Sequence, residues 1–542
     1  MESTPWFGSK GIQATCQHDE SIEGFRLPDY VNHLIETGSL GSKSGKGFYQ
    51  KVKEDGKSKI LALNLKTKEY EVQSKTTFAS VEALRPLDNP LDRMESLYNA
   101  TDLAGEFTKK TFIDTFAYTA NRIPEVADYV YQIDDAIKAG FGWKHGPFET
   151  WDRIGFAKVG DDLVAAGKQI PDWLTKLKAQ GIDSFYRIEE GKRQFLDVLN
   201  GEYKDVPGGE TLSLSILRET NTLWKNSECS IIDLGDGILN LEFHSKMNTI
   251  GGGTIEGINK AIDMAEADYK GLVIYNEGDV FTAGANVGMI LMLAAEQEME
   301  ELDLAVRTFQ NVVMRIRYSD IPVILAPHAV CMGGGVEMSL HADKVIAHAE
   351  LYMGLVEFGV GIIPGGAGTK EFALRLSDEL EEGDIRTNTF RKRFLTIGQA
   401  KVSTSAQEAF ELGYLRPGID EWIVNRADQL SYAKQAALQT WEKGYKRPIK
   451  RTDIQVLGKE AMGLVYIGAD TMQAGNYISE HDKLISEKLG YVMAGGNLSE
   501  PTRVSEDYLL DLERQKFLEL CMERKTLERM HSLVQTGKIL RN

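Results

Sequence analysis

Cysteine is scarce in this 542-residue chain: Cys16, Cys229, Cys331 and Cys521, far apart and with no CxxC pair. That argues against a disulfide framework or a zinc site of paired cysteines, and it suits reduced thiols in a cytoplasmic protein. Histidine is also sparse, with nine residues and no HExxH, so no metal site is expected. No apolar run approaches the ~18–20 residues that span a bilayer, so no transmembrane segment is predicted. The start, Met1-Glu2-Ser3-Thr4-Pro5-Trp6, lacks the basic and apolar regions of a signal peptide. Positive charge is outweighed, 62 Lys and Arg against 80 Asp and Glu, for a formal net charge of −18. Such a surface repels phosphate backbones, so nucleic acid is excluded as an expected partner. An anionic small ligand would need a local basic or helix-N-terminal pocket. Nor does any GxGxxG lie between a strand and a helix. The nearest case, Gly251-Gly252-Gly253-Thr254, lacks the spacing of a dinucleotide-binding turn.

What is present is ordinary globular material, 42% hydrophobic and 26% charged, in a chain long enough for two or more domains. Residues 27–49 open with a helical pattern. Residues 50–95 are polar, with one predicted hairpin, Ile60 to Asn64 against Tyr70 to Val72. Helical spacing follows over 96–155, with Phe107, Phe112, Phe116, Ala120 and Ile123 as its apolar positions and a turn at Gly140 to Glu149. A second connector contains Pro207-Gly208-Gly209. From about 229 strand-like runs alternate with helical ones: Gly237 to Phe243, Leu272 to Tyr275, Val323 to Ala326, Lys344 to Ala347. This alternation predicts an α/β domain with parallel strand pairs. After about 420 the chain reads as helical, with Leu509, Leu510, Leu512 and Phe517 in its last long amphipathic segment.

The chemistry concentrates between 281 and 369. Phe281-Thr282-Ala283-Gly284-Ala285-Asn286 and Met332-Gly333-Gly334-Gly335 offer bare backbone amides at small residues, where a ligand can approach closely. Ala285 and Gly334 are the candidate donors to a carbonyl oxygen that gains negative charge. One such donor is commonly worth ~2.7–4 kcal/mol in a transition state. Gly334 also opens a predicted helix whose positive end would face that oxygen. Glu337 lies one turn into it, and Glu357 follows in the apolar Leu355-Val356-Glu357-Phe358. Two carboxylates with separated pKa values supply an acid and a base. Surface glutamates and ordinary strand-to-helix turns are the alternative reading of each motif taken singly. His328, His341 and His348 sit on apolar segments and are expected to be structural.

In order and spacing these motifs, together with Ile321-Pro322-Val323-Ile324-Leu325-Ala326 and Gly361-Ile362-Ile363-Pro364-Gly365-Gly366-Ala367-Gly368-Thr369, resemble the crotonase (enoyl-CoA hydratase/isomerase) superfamily over 229–440. The resemblance implies an α/β domain of repeated ββα units. It implies oxyanion-hole amides at Ala285 and Gly334, an acid/base pair at Glu337 and Glu357, and addition of water to a trans-2-enoyl-CoA to give a 3-hydroxyacyl-CoA. It also places the Ala283 carbonyl near the adenine of CoA. Lys246 is a candidate phosphate contact, with a solvated loop lysine as its alternative. Asn286 departs from the aspartate of many hydratases. No metal or redox cofactor is required for hydration.

The segments Tyr118 to Glu125, Ile133 to Ala136 and Gly140 to Glu149 resemble the C-terminal helical domain of 3-hydroxyacyl-CoA dehydrogenases, and Gly41 to Tyr49 resembles the close of a preceding copy. The whole order resembles the C-terminal portion of long bacterial 3-hydroxyacyl-CoA dehydrogenase/enoyl-CoA hydratases of fatty-acid β-oxidation. The expected organisation is 1–52, remnant of a first dehydrogenase C-terminal-like domain; 53–95, connector; 96–180, all-α dehydrogenase C-terminal-like domain; 181–228, connector; 229–440, crotonase-like domain; 441–542, helical extension. The family's NAD-binding domain and catalytic histidine precede the matched region, so NAD would enter only through a missing or separate Rossmann part. Either the chain is a truncated reading of a longer gene or another subunit supplies that part. Expected partners are an acyl-CoA substrate, a dehydrogenase or thiolase subunit, and further copies of the chain. An isomerase or acyl-CoA hydrolase on the same scaffold, or a non-catalytic acyl-CoA-binding assembly subunit, are the competing readings.

Overall fold

Short strands and many helices divide the chain into two units, Met1–Pro207 and Gly208–Asn542, in a computed structural model. It describes residues 14–15, 17–18, 22, 26–54, 57–73, 76–87, 89–189, 192–207 and 212–542. Met1 to Trp6, Cys16 and Gly208-Gly209 lie outside the described residues.

In the first unit, β1 (Tyr49–Glu54), β2 (Lys57–Leu63) and β3 (Tyr70–Val72) form an antiparallel sheet. Its β2–β3 pair, with Leu61 opposite Val72, is the hairpin read from the sequence. Helices Leu103–Asn121, Val130–Phe141, Pro147–Ile154, Phe156–Ala165 and Asp172–Ala179 follow. Asp102 caps the first by accepting from the Gly105 amide at 3.1 Å, Gly142 ends the second in the left-handed region, and Pro147 opens the third. Phe116, Phe148, Trp151, Phe156 and Phe185 make an aromatic core. Phe107 departs from the expected apolar stripe and is 71% exposed. At about 100° per residue, nine positions place it opposite Phe116. The 181–228 stretch is more than the expected connector. It carries the antiparallel sheet β4 (Tyr186–Glu189), β5 (Lys192–Asp197) and β6 (Glu202–Asp205), the helix Leu214–Thr220, and β7 (Thr222–Lys225). The buried Phe195 and Leu196 explain β5: they join the aromatic core of the first unit.

The second unit is built on a seven-stranded sheet, order β15-β13-β11-β10-β9-β8-β7. Its further strands are β8 (Cys229–Asp233), β9 (Ile238–Phe243), β10 (Gly271–Ile274), β11 (Val323–Leu325), β13 (Lys344–His348) and β15 (Glu421–Ile423). Pairing is parallel from β9 to β15 and antiparallel from β7 to β9. All residues of β9, β10 and β11 are buried, as expected of strands covered on both faces. Alternation decides the face. Ile238, Val273 and Ile324 pack toward the helix Gln429–Glu442, whereas Leu239, Leu272 and Val323 pack into the larger core with residues of the helices Gly252–Asp268 and Met299–Arg317.

A second, two-stranded parallel sheet pairs β12 (Ala329–Met332) with β14 (Leu351–Gly354). The chain therefore runs β11, β12, helix Gly334–His341, then β13, β14, helix Gly368–Glu379, two successive ββα units. The 441–542 segment adds helices Lys459–Ala474, Glu480–Met493, Glu506–Cys521 and Arg524–Thr536, with β16 (Ile454–Val456), ahead of the first, paired antiparallel with β17 (Thr502–Val504), between the second and third. Its Leu489, Phe517, Leu520 and Met530 share one core with Val336 and Ile363, so the extension is part of the same folding unit. Among the described residues no helix is long and apolar enough to cross a membrane.

Candidate active site

Three segments converge beside the second sheet. The Ile250 amide donates to the Gly284 carbonyl at 2.9 Å, and the Met332 amide donates to the Thr282 carbonyl at 3.1 Å. Isolated parallel bridges, Ile250 with Ala285 and Thr282 with Cys331, complete the register. Gly284 adopts φ +89°, and a Cβ there would stand 2.8 Å from the Met332 carbonyl oxygen and 3.4 Å from the Gly334 nitrogen. Only glycine allows that approach, and the approach brings Ala285 and Gly334 together. Gly334 is the first residue of its helix, where an amide has no acceptor within the helix. Among the described residues neither the Ala285 nor the Gly334 amide donates to a protein acceptor.

Glu337, one turn into that helix, is 3% exposed. Its Oε1 accepts from the Gly366 amide at 2.7 Å and the Gly368 amide at 2.9 Å. Burial raises its pKa well above the ordinary carboxyl range, and the charges of Glu357 and Glu513 add to the rise. The two amides oppose it without cancelling it. Glu357 starts the short 3₁₀ turn Glu357–Val360 that follows β14. The Gly333 amide donates to the Gly354 carbonyl at 3.0 Å, which holds the two glycine-rich turns side by side. A Cβ on Gly333 would lie 2.9 Å from Glu357 Oε1. The buried Oε2 of Glu357 has no hydrogen-bond partner. Burial, with a further contribution from the Glu513 charge, pushes this carboxyl up to about 7.

The structure thus brings Ala285, Gly334, Glu337 and Glu357 together. The two acids are unequal: Glu337 is anchored by a pair of N–H donors, and Glu357 keeps an unpaired oxygen. A buried unpaired oxygen beside free backbone donors can bind and deprotonate, or protonate, a small polar molecule. Ala283 and Lys246 lie at the edge, where the Ala283 amide donates to the Met247 carbonyl at 3.1 Å and Lys246 is exposed. Asn286 caps the helix Val287–Ala295 by accepting from the Met289 amide at 3.2 Å, a role an aspartate would fill equally.

The histidines have structural partners. His328 pairs with the Gly278 carbonyl at 3.0 Å, and burial pushes its pKa down to about 4. His348 bridges the Glu350 and Val424 carbonyls. His341 contacts the Glu337 carbonyl through Nδ1 at 2.7 Å and Lys370 Nζ through Nε2 at 2.8 Å. The lysine donates, so Nε2 accepts and Nδ1 carries the proton. Sequence reasoning missed Glu513, in the helix Glu506–Cys521 of the C-terminal extension. Its carboxylate accepts from the Ala367 amide at 2.5 Å and the Lys370 amide at 2.8 Å. One signal was available: Glu513 sits four residues from both Leu509 and Phe517, a carboxylate inside the apolar stripe of a helix.

Several known proteins are similar to this chain. Residues 233–380 match the enoyl-CoA hydratase/isomerase family model. A probable 3-hydroxyacyl-CoA dehydrogenase of Bacillus subtilis is 41% identical over 536 residues, 98% of this chain and 66% of that protein. A putative fatty acid oxidation complex trifunctional enzyme of Rickettsia felis is 25% identical over 93% of this chain and 62% of its own length. The chain therefore spans about two thirds of the length of these curated relatives. The crystal structure of enoyl-CoA hydratase from Bacillus halodurans aligns over 57% of this chain and 100% of its own, at 15% identity and a TM-score of 0.40. The chain thus carries an enoyl-CoA hydratase/isomerase domain in its C-terminal part and is homologous to a probable 3-hydroxyacyl-CoA dehydrogenase.

Proposed function

We propose that this chain is an enoyl-CoA hydratase that adds water across the double bond of a trans-2-enoyl-CoA in fatty-acid β-oxidation. The observation that carries this reading is the unequal Glu337/Glu357 pair set against two amides without protein acceptors. The thioester oxygen lies between the Ala285 and Gly334 amides, which stabilise the enolate as it forms. The pair holds one water, and one carboxylate takes a proton from it as the water oxygen bonds to C3. Glu357, pushed up to about 7, delivers a proton from its acid form to C2. The water O–H and the C2=C3 π bond break, a C3–O and a C2–H bond form, and one proton passes from Glu357 to its partner carboxylate over the cycle. Lys246 and the Ala283 carbonyl face the CoA moiety. The protein works in the cytoplasm and acts as part of a larger assembly, with further copies or with a dehydrogenase or thiolase subunit.

Hydride transfer is not proposed for the described residues. The nearest glycine-rich helix start, Gly251 to Thr254, is already filled by a carboxylate of the chain itself. The Thr254 amide donates to Glu228 Oε2 at 2.8 Å, and a Cβ on Gly251 would meet Glu228 at 2.9 Å. A pyrophosphate does not fit where that carboxylate sits.

The test is hydration of crotonyl-CoA, followed by loss of enoyl-thioester absorbance, beside isomerisation of a 3-enoyl-CoA. Glu357→Gln is expected to lower kcat by about 10²–10⁴ while acyl-CoA binding persists. Hydration by Glu357→Gln at the unsubstituted rate would overturn the mechanism. Isomerisation without hydration in the unsubstituted chain would favour an isomerase, and binding without turnover of either ester would favour an assembly subunit.

A further inference from the structure

The helix Gly368–Glu379 begins in a turn that serves two masters. Glu337 takes the amides of Gly366 and Gly368, and Glu513, from the C-terminal extension, takes those of Ala367 and Lys370. The two carboxylates interleave on one helix N-terminus. Ala367, between them, is held at φ +82°, a left-handed conformation that a residue with a Cβ adopts only when its surroundings enforce it. Glu513 is itself held by Gln310, whose Nε2 reaches Glu513 Oε1 at 3.3 Å along with the Gly365 and Leu510 carbonyls. Arg514 Nη1 in turn reaches Gln310 Oε1 at 3.1 Å and Arg514 Nε reaches Asp303 at 2.9 Å. The same extension braces the other acid: Thr526 Oγ1 donates to the Gly361 carbonyl at 2.8 Å, at the end of the turn that starts with Glu357.

We propose that Glu513 is a positioning residue of the hydratase site, a third buried carboxylate that shapes the 364–370 turn around Glu337 and sets, through its charge, the pH range in which the Glu337/Glu357 pair works. This rests on the hydratase reading above. Glu513 is fully buried and burial pushes it up to about 7, so it gains and loses its charge in the range where Glu357 does. Its charge raises both Glu337 and Glu357. The facing groups are accounted for. Lys370 turns its side chain away, to Glu506 at 2.9 Å and His341 at 2.8 Å, and Glu371 is occupied by Arg317, Arg375 and Lys370. Those cations form a buried network with Glu371 and Glu506, and the charge of Lys370 also reaches Glu513, where it opposes the rise that burial causes. The groups that Glu513 meets on the site side are Glu337 and Glu357, with Gln310 and the two amides as its donors.

The experiment is the pH profile of kcat/KM for crotonyl-CoA hydration in Glu513→Gln and Glu513→Asp, using the full chain, with circular dichroism to verify folding. Removing a neighbouring negative charge lowers the pKa of the remaining carboxyls. Both limbs of the Glu513→Gln profile are therefore expected to move to lower pH by about one unit, and kcat to fall several-fold. Glu513→Asp, which restores the charge on a shorter arm, should return the limbs toward their original positions. A residue that only supports the fold would lower activity without moving the limbs, and that result overturns the assignment. Where Glu513→Gln does not fold, Gln310→Leu weakens the ionised form of Glu513 and should move the limbs in the same direction by less. Unmoved limbs there overturn the assignment too. If the unsubstituted chain hydrates no enoyl-CoA, the hydratase reading fails and this one with it; hydration with unmoved limbs removes the role of Glu513 alone.

Discussion

Both units bury carboxylates that desolvation pushes up to about 7, Asp134 and Asp152 in the first and Glu357 and Glu513 in the second. Their surroundings differ. Asp134 accepts from the Phe148 and Glu149 amides and the Tyr186 hydroxyl, at 2.9, 3.0 and 2.8 Å. Asp152 accepts from the Phe185 and Tyr186 amides, with both oxygens engaged. These aspartates pin the start of one helix and the start of β4, and no oxygen is left over. Glu357 keeps a buried oxygen with no partner, in the same pocket of backbone as two amides that also lack one. A raised pKa marks burial in both units. The unmet hydrogen-bonding capacity separates a site from a strut.

The contrast is broken most severely by displacing Glu357 without altering its chemistry. Gly333 adopts φ +50°, and an added Cβ would press on Glu357 Oε1 at 2.9 Å. Gly333→Ala is expected to lower kcat for crotonyl-CoA hydration by about 10², the cost of misplacing a reacting group by about 1 Å. A variant that retains full kcat would show that the position of Glu357 is not critical.

The converse change removes a strut. Asp152→Asn turns an amide NH₂ toward backbone N–H donors and should destabilise the first unit by about 1–3 kcal/mol while leaving kcat unchanged. The effect depends on pH with a definite sign. Asp152 has its folded pKa raised from 3.8 to about 7, so the stability it contributes is fully present below about 4 and is lost as pH rises through 7. Thermal unfolding should therefore show the largest difference between the variant and the parent near pH 4–5 and a smaller one at pH 8. A loss of hydration by Asp152→Asn with unchanged unfolding would make this aspartate part of the chemistry and erase the contrast.

How much of this was legible in the sequence follows from the range of the forces involved. The strands β9, β10, β11 and β13 were visible because each is a short apolar run bounded by helical spacing, a purely local signal. Ala285, Gly334, Glu337 and Glu357 were visible because the glycines that let backbones approach sit beside them in the chain. The sheet β4-β5-β6 was not, because its strands are polar on the outside and acquire their identity from Phe195 and Leu196 meeting an aromatic core built elsewhere. Glu513 was hidden for the same reason in stronger form. Its partners are backbone amides at 367 and 370, and no side-chain pattern announces an amide. Only its place in an apolar stripe hinted at burial.

The mildest lever touches neither set of carboxylates. Lys246 is exposed, in a turn that is strapped to the site by the Ala283 amide donating to the Met247 carbonyl. A solvated lysine that meets a phosphate gains about 0.2–1 kcal/mol, because water screens the pair and the side chain must be ordered. Lys246→Ala should therefore raise KM for crotonyl-CoA by up to about fivefold, with kcat unchanged and the difference shrinking in high salt. A change confined to KM is the mark of binding energy that is equal in ground and transition states. If kcat fell instead, the lysine would have to act on the reacting atoms. The electrostatics of the site would then extend to its exposed rim, and the buried acids alone would no longer explain the chemistry.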